Sequence, residues 1–502
     1  MTTYADTAVP SPAGWLNIAD GIFNNARRRP RHPALVEGAR TITYADLAVL
    51  VCQTSVALEQ IGVRQGDIVG LALADNADHA IALLAVAWIG AITLPMDVRW
   101  TAEEKRRIAA HFGARLVFVP DGEAPLPGID TIPADATWMQ RVAGNDGNCT
   151  PARRRDLPVV LSLSSGTTGT PKGPLVTHGH VLNRLLIYTI SLTFNEADRF
   201  MTATPMYFGA GRFMTLAYLF LGATVVLFPP PYRPEELVAA ITAHRITSIF
   251  LVPTLLRGLV DAPKQQAPLL PGLRLLISSG SSLYPEERRK ILDQVSPHFY
   301  NFYSCTEGGG ISLLRPQDPD QVSMSVGKIV FGSEVQIVDE HHEPVPAGAS
   351  GHIRYRGGTV ADSFYRNQEE SAKAFRDGWY YPGDLGRFDE EGYLYLTGRA
   401  KDMIIRGGVN IYPPEIEQTL LLHPAVAEVA VIGWPSQMRG EEVAAFVVRR
   451  FAVSDEELLA HCRQHLARYK VPKGVFFVDA LPRSGMGKVL KLKLAQALPV
   501  GD

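Results

Sequence analysis

The sequence predicts an α/β protein of mixed sheets and helical layers, divided into at least two domains. Three observations carry that expectation. Strand-like apolar runs alternate with helical stripes, as where Ile68–Leu73 is followed by Ile81–Ile89; this order suits a parallel or mixed sheet with helices packed on it. Three apolar runs, Val159–Leu161, Leu273–Ile277 and His298–Tyr303, each lead into a cluster of small polar residues. Ligands of α/β sheets bind beyond the carboxyl ends of such strands. The third observation is length, because 502 residues exceed what one compact core accommodates.

Composition narrows the function classes. The 49 basic and 51 acidic residues nearly cancel, which argues against a nucleic-acid partner or a membrane-surface role. The triplets Arg27–Arg29 and Arg153–Arg155 read as solvated faces or loops. The most apolar run, Ile81–Leu94, is interrupted by Gly90 and stopped by Pro95 and Asp97. It falls short of the roughly 20 residues a membrane helix needs, so it reads as a core helix and no membrane insertion is expected. Residues 1–14 lack the pattern of a signal peptide. Cys52, Cys149, Cys305 and Cys462 are scattered without CxxC spacing, which predicts reduced thiols, no zinc site and a cytoplasmic protein.

Taken in order, Thr43 followed by Asp46 predicts a capped helix start. Leu47, Leu50, Val51, Leu58 and Ile61 form its stripe, and Gly62 stands where a terminating glycine belongs. Val159–Leu161 then reads as a buried strand, followed by SSGTTGTPKG. Gly166 and Gly169 allow backbone N–H groups to turn inward on an anion. Ser164, Ser165, Thr167 and Thr168 add hydroxyl donors, and Lys172 adds a compact cation. The pattern is a polyphosphate cradle. It is not a Walker loop, since Pro171 precedes the lysine and Gly173 follows where a metal-binding hydroxyl is required. Pro174–Thr177 reads as a short strand, and a helix begins near His178.

Further on, Thr204–Gly211 brings Tyr207, Phe208 and Gly209 together, with Phe213 close behind. Leu273–Ile277 leads into Ser278–Ser282, and a helix opens at Pro285 with Glu286 and Glu287 in its first turn. His298–Tyr303 leads into Ser304, Cys305, Thr306, Glu307 and Gly308–Gly310. Cys305 has no local histidine to activate it and reads as a pocket-lining residue. His178 and His423 read as loop or capping residues rather than bases. A strand is predicted over Gly392–Leu396, with Arg399 after it. The last third alternates again at Val426–Ile432 and Val443–Val448, and Ser454 with Glu457 opens a helix through Leu466.

The run SSGTTGTPKG resembles the phosphate loop of the adenylate-forming (ANL) superfamily of acyl- and aryl-CoA synthetases, peptide-synthetase adenylation domains and luciferases. The likeness extends over nearly the whole chain, through NFYSCTEGGG, YPGDL and PRSGMGK. It implies a large N-terminal ATP- and acid-binding domain over 1–399, a hinge at 400–402 and a small mobile α+β domain over 403–502. By the same resemblance, Ser164–Gly169 and Lys172 hold the β/γ-phosphates, and Gly280 and Ser281 run along the adenine edge. Tyr303 stacks on the base, Thr306 donates to the α-phosphate and Glu307 holds Mg²⁺. Asp384 accepts from the ribose hydroxyls with Arg399 nearby, and Lys401 is the hinge, with Asp402 a second candidate. Gly407 and Gly408, beside Arg406, line a thiol tunnel, and Arg439 either meets a CoA phosphate or faces solvent. Lys488 is the catalytic lysine. Tyr207, Phe208, Gly209, Ser304, Cys305 and Gly308 line the acid pocket, Phe208 standing where a histidine is common; the aromatic residues there are either pocket wall or plain core. No aspartate stands near Gly209 to pair with an ammonium, which argues against an α-amino acid.

The implied reaction joins a carboxylic acid to ATP as an acyl-adenylate, with pyrophosphate released, and then to the thiol of coenzyme A. A separate carrier protein bearing phosphopantetheine is the alternative acceptor. A non-catalytic nucleotide-binding member of the fold and simple NTP hydrolysis are the rival classes. An aryl or medium-length apolar acid and a monomer or homodimer complete the expectation.

Overall fold

The computed structural model describes residues 16–163, 172–262, 267–281, 283–407, 409–436, 439–483 and 489–498. Two sheets form the body of the large region. One has six strands in the order Thr131–Pro133, Leu116–Val119, Ile68–Leu71, Ile92–Pro95, Pro158–Leu161, Leu175–Thr177. The other has nine, running from Lys328–Ile329 through Gly309–Leu314, Phe299–Cys305, Leu275–Ser278, Ser248–Phe250, Arg199–Thr202, Thr224–Leu227 and Pro33–Glu37 to Arg40–Thr43. Their central pairs are parallel. The sequence explains this directly: IVGL, LVFV and TVVL are continuous apolar runs, buried throughout, as strands covered on both faces must be.

Helix Ala77–Trp88 is buried at every position but Asp78 and shares one core with residues of both sheets. A helix apolar all round belongs in an interior. It starts earlier than the predicted Ile81, because the Asn76 side chain accepts from the His79 N–H and caps it. No helix among the described residues is long and apolar enough to cross a membrane. The Thr43–Asp46 capping box opens helix Tyr44–Gln60 as predicted.

The expectation of scattered, reduced thiols needs correction. Cys52 and Cys149 form a disulfide across 97 residues, with Cα atoms 5.2 Å apart, while Cys305 and Cys462 are free. The cause lies in packing. Gln53 on helix Tyr44–Gln60 donates to the Asn145 carbonyl at 2.9 Å and Gln60 to the Asn145 side chain at 2.7 Å, which lays the chain before Cys149 along Cys52.

A third, antiparallel sheet follows in the order Phe375–Arg376, Trp379–Tyr380, Gly351–Gly357, Asp384–Phe388, Leu394–Arg399, with Ser333–Val338 added beside Gly351–Gly357. Its last strand lies later than the predicted 392–396. Gly392 has φ +81° and bonds back to Asp389, making a turn, and pairing continues to Arg399, directly opposite Asp384. The final region has its own five-stranded sheet, in which Gly440–Arg449 pairs with Ile404–Arg406, Val426–Ser436 and Gly474–Phe477. It also has its own apolar core, around Ile404, Val431, Val443 and Leu458. Ser454 accepts from the Glu457 N–H and caps helix Asp455–His465.

Candidate active site

The site residues gather where the nine-stranded sheet meets the antiparallel one. Strand Phe299–Cys305 carries Tyr303 near its carboxyl end, and a strand of the antiparallel sheet carries Asp384. The Tyr303 hydroxyl donates to Asp384 Oδ2 at 2.6 Å, and Arg399 Nε lies 2.8 Å from Oδ1. Asp384 is 6% exposed, so its charge needs this partner. A carboxylate offers about four acceptor positions, and these two contacts leave room for the vicinal hydroxyls of a ribose. Burial, followed by the Asp384 charge, pushes the Tyr303 phenol well above its usual range, so it remains a donor. Ser279 and Ser304 hydroxyls meet at 3.1 Å, which joins the ends of strands Leu275–Ser278 and Phe299–Cys305. Gly280 follows with φ +104° and Ser281 stands half-buried.

Beyond Tyr303, the Cys305 thiol contacts the Tyr355 hydroxyl at 2.7 Å and accepts the Gly308 N–H at 3.1 Å. Burial pushes the thiol up to about 12, so it stays protonated and is no nucleophile. Glu307 is 8% exposed and hydrogen-bonds with Tyr380. The described residues hold no cluster of three or more acidic, His or Cys side chains suited to a metal. A single near-buried carboxylate fits Mg²⁺ all the same, because that ion is usually held by one or two carboxylates plus substrate phosphates and water. A Cβ on Gly308 would overlap the Tyr355 hydroxyl, which explains glycine there.

Lys172 pairs with Glu370 of helix Gln368–Ala374. Lys172 in turn holds the Glu370 carboxyl below its usual range. Ser164, Ser165, Gly166, Thr167, Thr168, Gly169, Gly408 and Lys488 lie outside the described residues. Lys401 sits in the turn Ala400–Asp402, its ammonium pushed below the usual value by burial. Gly407 forms the turn of the hairpin Ile404–Arg406 and Val409–Ile411, whose Ile405 and Val409 are exposed. Arg406 is engaged with Glu442 at 2.5 Å and the Tyr469 carbonyl at 2.7 Å. Arg439 lies 3.6 Å from Glu442 and is half-exposed. His178 is buried, accepts the Ile18 N–H and is pushed down to about 4 by burial, so neither a loop role nor a base fits it. The His423 ring accepts from Ala425 in a turn, as expected.

The acid-pocket segment has an unforeseen underside. Phe208 precedes helix Gly209–Leu221 at its N-cap position, and Tyr207 lies half-buried beside it, 4.5 Å between ring centres. Beneath them Asp75 accepts the Met206 N–H at 2.6 Å, and burial raises its carboxyl to about 6. His79, fully buried, is pushed down to about 4 by burial and lies within reach of the Arg212 charge. Arg212 donates to the carbonyls of Met206 and Tyr207 and to the Ser162 hydroxyl. Arg184 donates to the carbonyls of Thr306, Glu307 and Thr359. Sequence reading missed both arginines, Asp75 and Glu370. A signal was present for Arg184, a charge in the helical stripe Val181, Leu185, Tyr188, all buried.

Comparison with known proteins shows the family. A family model described as AMP-binding enzyme matches residues 22–365, and one described as AMP-binding enzyme C-terminal domain matches 415–488. Feruloyl-CoA synthase of an Amycolatopsis species is 32% identical over 477 residues, covering 93% of this chain and 96% of that protein. Sulfoacetate–CoA ligase of Cupriavidus necator is 32% identical over 497 residues, covering 95% and 97%. The ATP-bound structure of MatB from Rhodopseudomonas palustris matches with a TM-score of 0.89 at 28% identity, covering 96% and 99%. The chain belongs to the AMP-binding enzyme family. Its relatives there are CoA ligases along nearly their full length, and it is an AMP-forming acid–thiol ligase with ATP and coenzyme A as co-substrates.

Proposed function

We infer that the protein activates a small carboxylic acid through the residues around Asp384 and passes the acyl group to free coenzyme A. The observation that carries this reading is the Tyr303–Asp384–Arg399 contact beside Glu307. It provides a flat ring for adenine, a carboxylate for a diol and, one turn of chain away, a carboxylate for a hard cation.

The first half-reaction sets an anion against a polyanion, so the protein must supply positive charge and alignment. Lys172 exchanges Glu370 for the β/γ-phosphates, aided by the hydroxyls and N–H groups of Ser164–Gly169. Thr306 donates to an α-phosphate oxygen. Glu307 would hold Mg²⁺, which supplies charge neutralisation between the phosphates. Lys488 spans the incoming carboxylate and the α-phosphate, where negative charge develops as the acid oxygen attacks and pyrophosphate leaves. Gly280 and Ser281 flank the base.

The division we propose is 1–399, a hinge at 400–402 centred on Lys401, and 403–502. After adenylation the small domain turns about the hinge, withdrawing Lys488 and bringing Gly407 and Gly408 to the entry of the thiol. The sulfur attacks the acyl carbonyl carbon and AMP departs. CoA is preferred over a carrier-borne phosphopantetheine, since the relatives named above form CoA esters by name, a feruloyl-CoA synthase and a sulfoacetate–CoA ligase. A cytoplasmic protein, monomeric or homodimeric, fits enzymes fed by ATP and CoA pools; the near-zero net charge favours no nucleic-acid partner. The relatives named for feruloyl-CoA and for sulfoacetate differ in substrate charge, so family membership alone does not choose the acid. Acid-dependent ATP–pyrophosphate exchange tests the reading, with AMP and an acyl-CoA as final products. ADP as product would refute it.

A further inference from the structure

Arg184 and Arg212 are the two largest fully buried side chains of the described residues, at 2% and 1% exposure. They approach one ring: their guanidinium carbons lie 4.6 and 4.9 Å from the centre of Phe213. All of their hydrogen bonds go to backbone carbonyls and one serine hydroxyl. Neither makes an ion pair with a carboxylate among the described residues, and each Nε is buried without an acceptor there. Two like charges thus share a water-poor site; burial lowers Arg184, with the Glu307 charge opposing, and burial, then Arg184, lowers Arg212 to about 9. At neutral pH both remain cations.

An uncompensated buried cation is costly, and two beside each other more so. A purely structural brace needs only hydrogen-bond donors, which neutral side chains provide. The location gives the reason for charge. Arg212 holds the carbonyls of Met206 and Tyr207, one wall of the acid pocket. Arg184 holds those of Thr306 and Glu307, between the pocket residues Cys305 and Gly308 in the chain. The space a Cβ on Gly209 would take lies 3.9 Å from the Phe213 ring, and on Gly309 3.1 Å from Arg184 Nε.

We propose that Arg184 and Arg212 are specificity-determining residues that reserve the acid pocket for substrates carrying a second anionic group, a dicarboxylate or a carboxylate with a sulfonate. The reacting carboxylate faces the α-phosphate, and the second anion supplies the counter-charge missing around Phe213. Tyr207 and Phe208 cover the apolar body between the two. This inference rests on the acid-activating function proposed above.

The test is pyrophosphate release by the full-length enzyme across matched acids: hexanoate, adipate and 6-sulfohexanoate; benzoate with its carboxy and sulfo derivatives; acetate, malonate and sulfoacetate. In at least one set the dianion should exceed its monoanion by about 10²-fold in kcat/KM, and the sulfonate arm shows which anion is taken. Arg212→Met should collapse that ratio chiefly through a higher KM for the dianion, and Arg212→Lys should restore part of it. A wild-type ratio near one in every set overturns the proposal without any variant. So does a ratio that both variants leave in place. If no acid of any charge releases pyrophosphate, the acid-activating function fails instead.

Discussion

The two ends of the active site treat charge in opposite ways. At the end proposed for ribose and adenine, Asp384 has Arg399 at 2.8 Å and Tyr303 at 2.6 Å. At the acid end, Arg184 and Arg212 are more deeply buried and have no carboxylate among the described residues. The difference teaches what each end receives. Ribose and adenine are neutral, so a site for them must be balanced before they arrive. An anionic ligand brings its own charge, and a site for it can be left unbalanced until then.

Asp384→Ala breaks the balanced end most severely. It removes the diol acceptor and strands Arg399, and we expect adenylation to fall on the order of 10²–10³-fold, read as ATP–pyrophosphate exchange. Gly308→Ala strikes the seam between the ends by forcing a methyl into the Tyr355 hydroxyl. Overpacking of that kind typically costs about 1–3 kcal/mol, and the chemical-denaturation midpoint should drop accordingly. Asp75→Asn sharpens the description of the acid end. The fold raises the Asp75 carboxyl from 3.8 to about 6 by burial, so it favours the protonated form. That contribution is complete below about pH 4 and is lost as pH rises through about 6. The asparagine variant escapes the loss, so its stability relative to wild type should improve between about pH 3 and 7, by up to about 3 kcal/mol. Smallest of all, Cys305→Ala should leave adenylation within about threefold, because a thiol held up at about 12 takes no nucleophilic part; a loss of on the order of 10²-fold would return that cysteine to the mechanism.

Much of the balanced end was legible in the sequence, and little of the other. Tyr303, Glu307, Asp384 and Arg399 stand in local runs whose residue types state their chemistry, and the caps at Thr43 and Ser454 obey rules spanning three residues. Even there the register escaped: Arg399 proved to be the last residue of its strand, opposite Asp384, because a turn at Gly392 shifted the start. The acid end depends on helix His178–Ser191 meeting helix Gly209–Leu221 over Phe213, a contact no local pattern encodes. Lys172 finding Glu370 across 198 residues, and Cys52 finding Cys149, are tertiary events of the same kind.

The central claim is that a lysine from the small domain completes a site built on the large one, so that a carboxylate can attack the α-phosphorus of ATP. Acid-dependent ATP–pyrophosphate exchange by wild type and Lys488→Ala tests it most directly, alongside transfer to CoA from a supplied acyl-adenylate. We expect exchange to fall on the order of 10²–10³-fold in the variant, with transfer from the supplied adenylate largely kept and the circular dichroism unchanged. Undiminished exchange in Lys488→Ala would contradict the account.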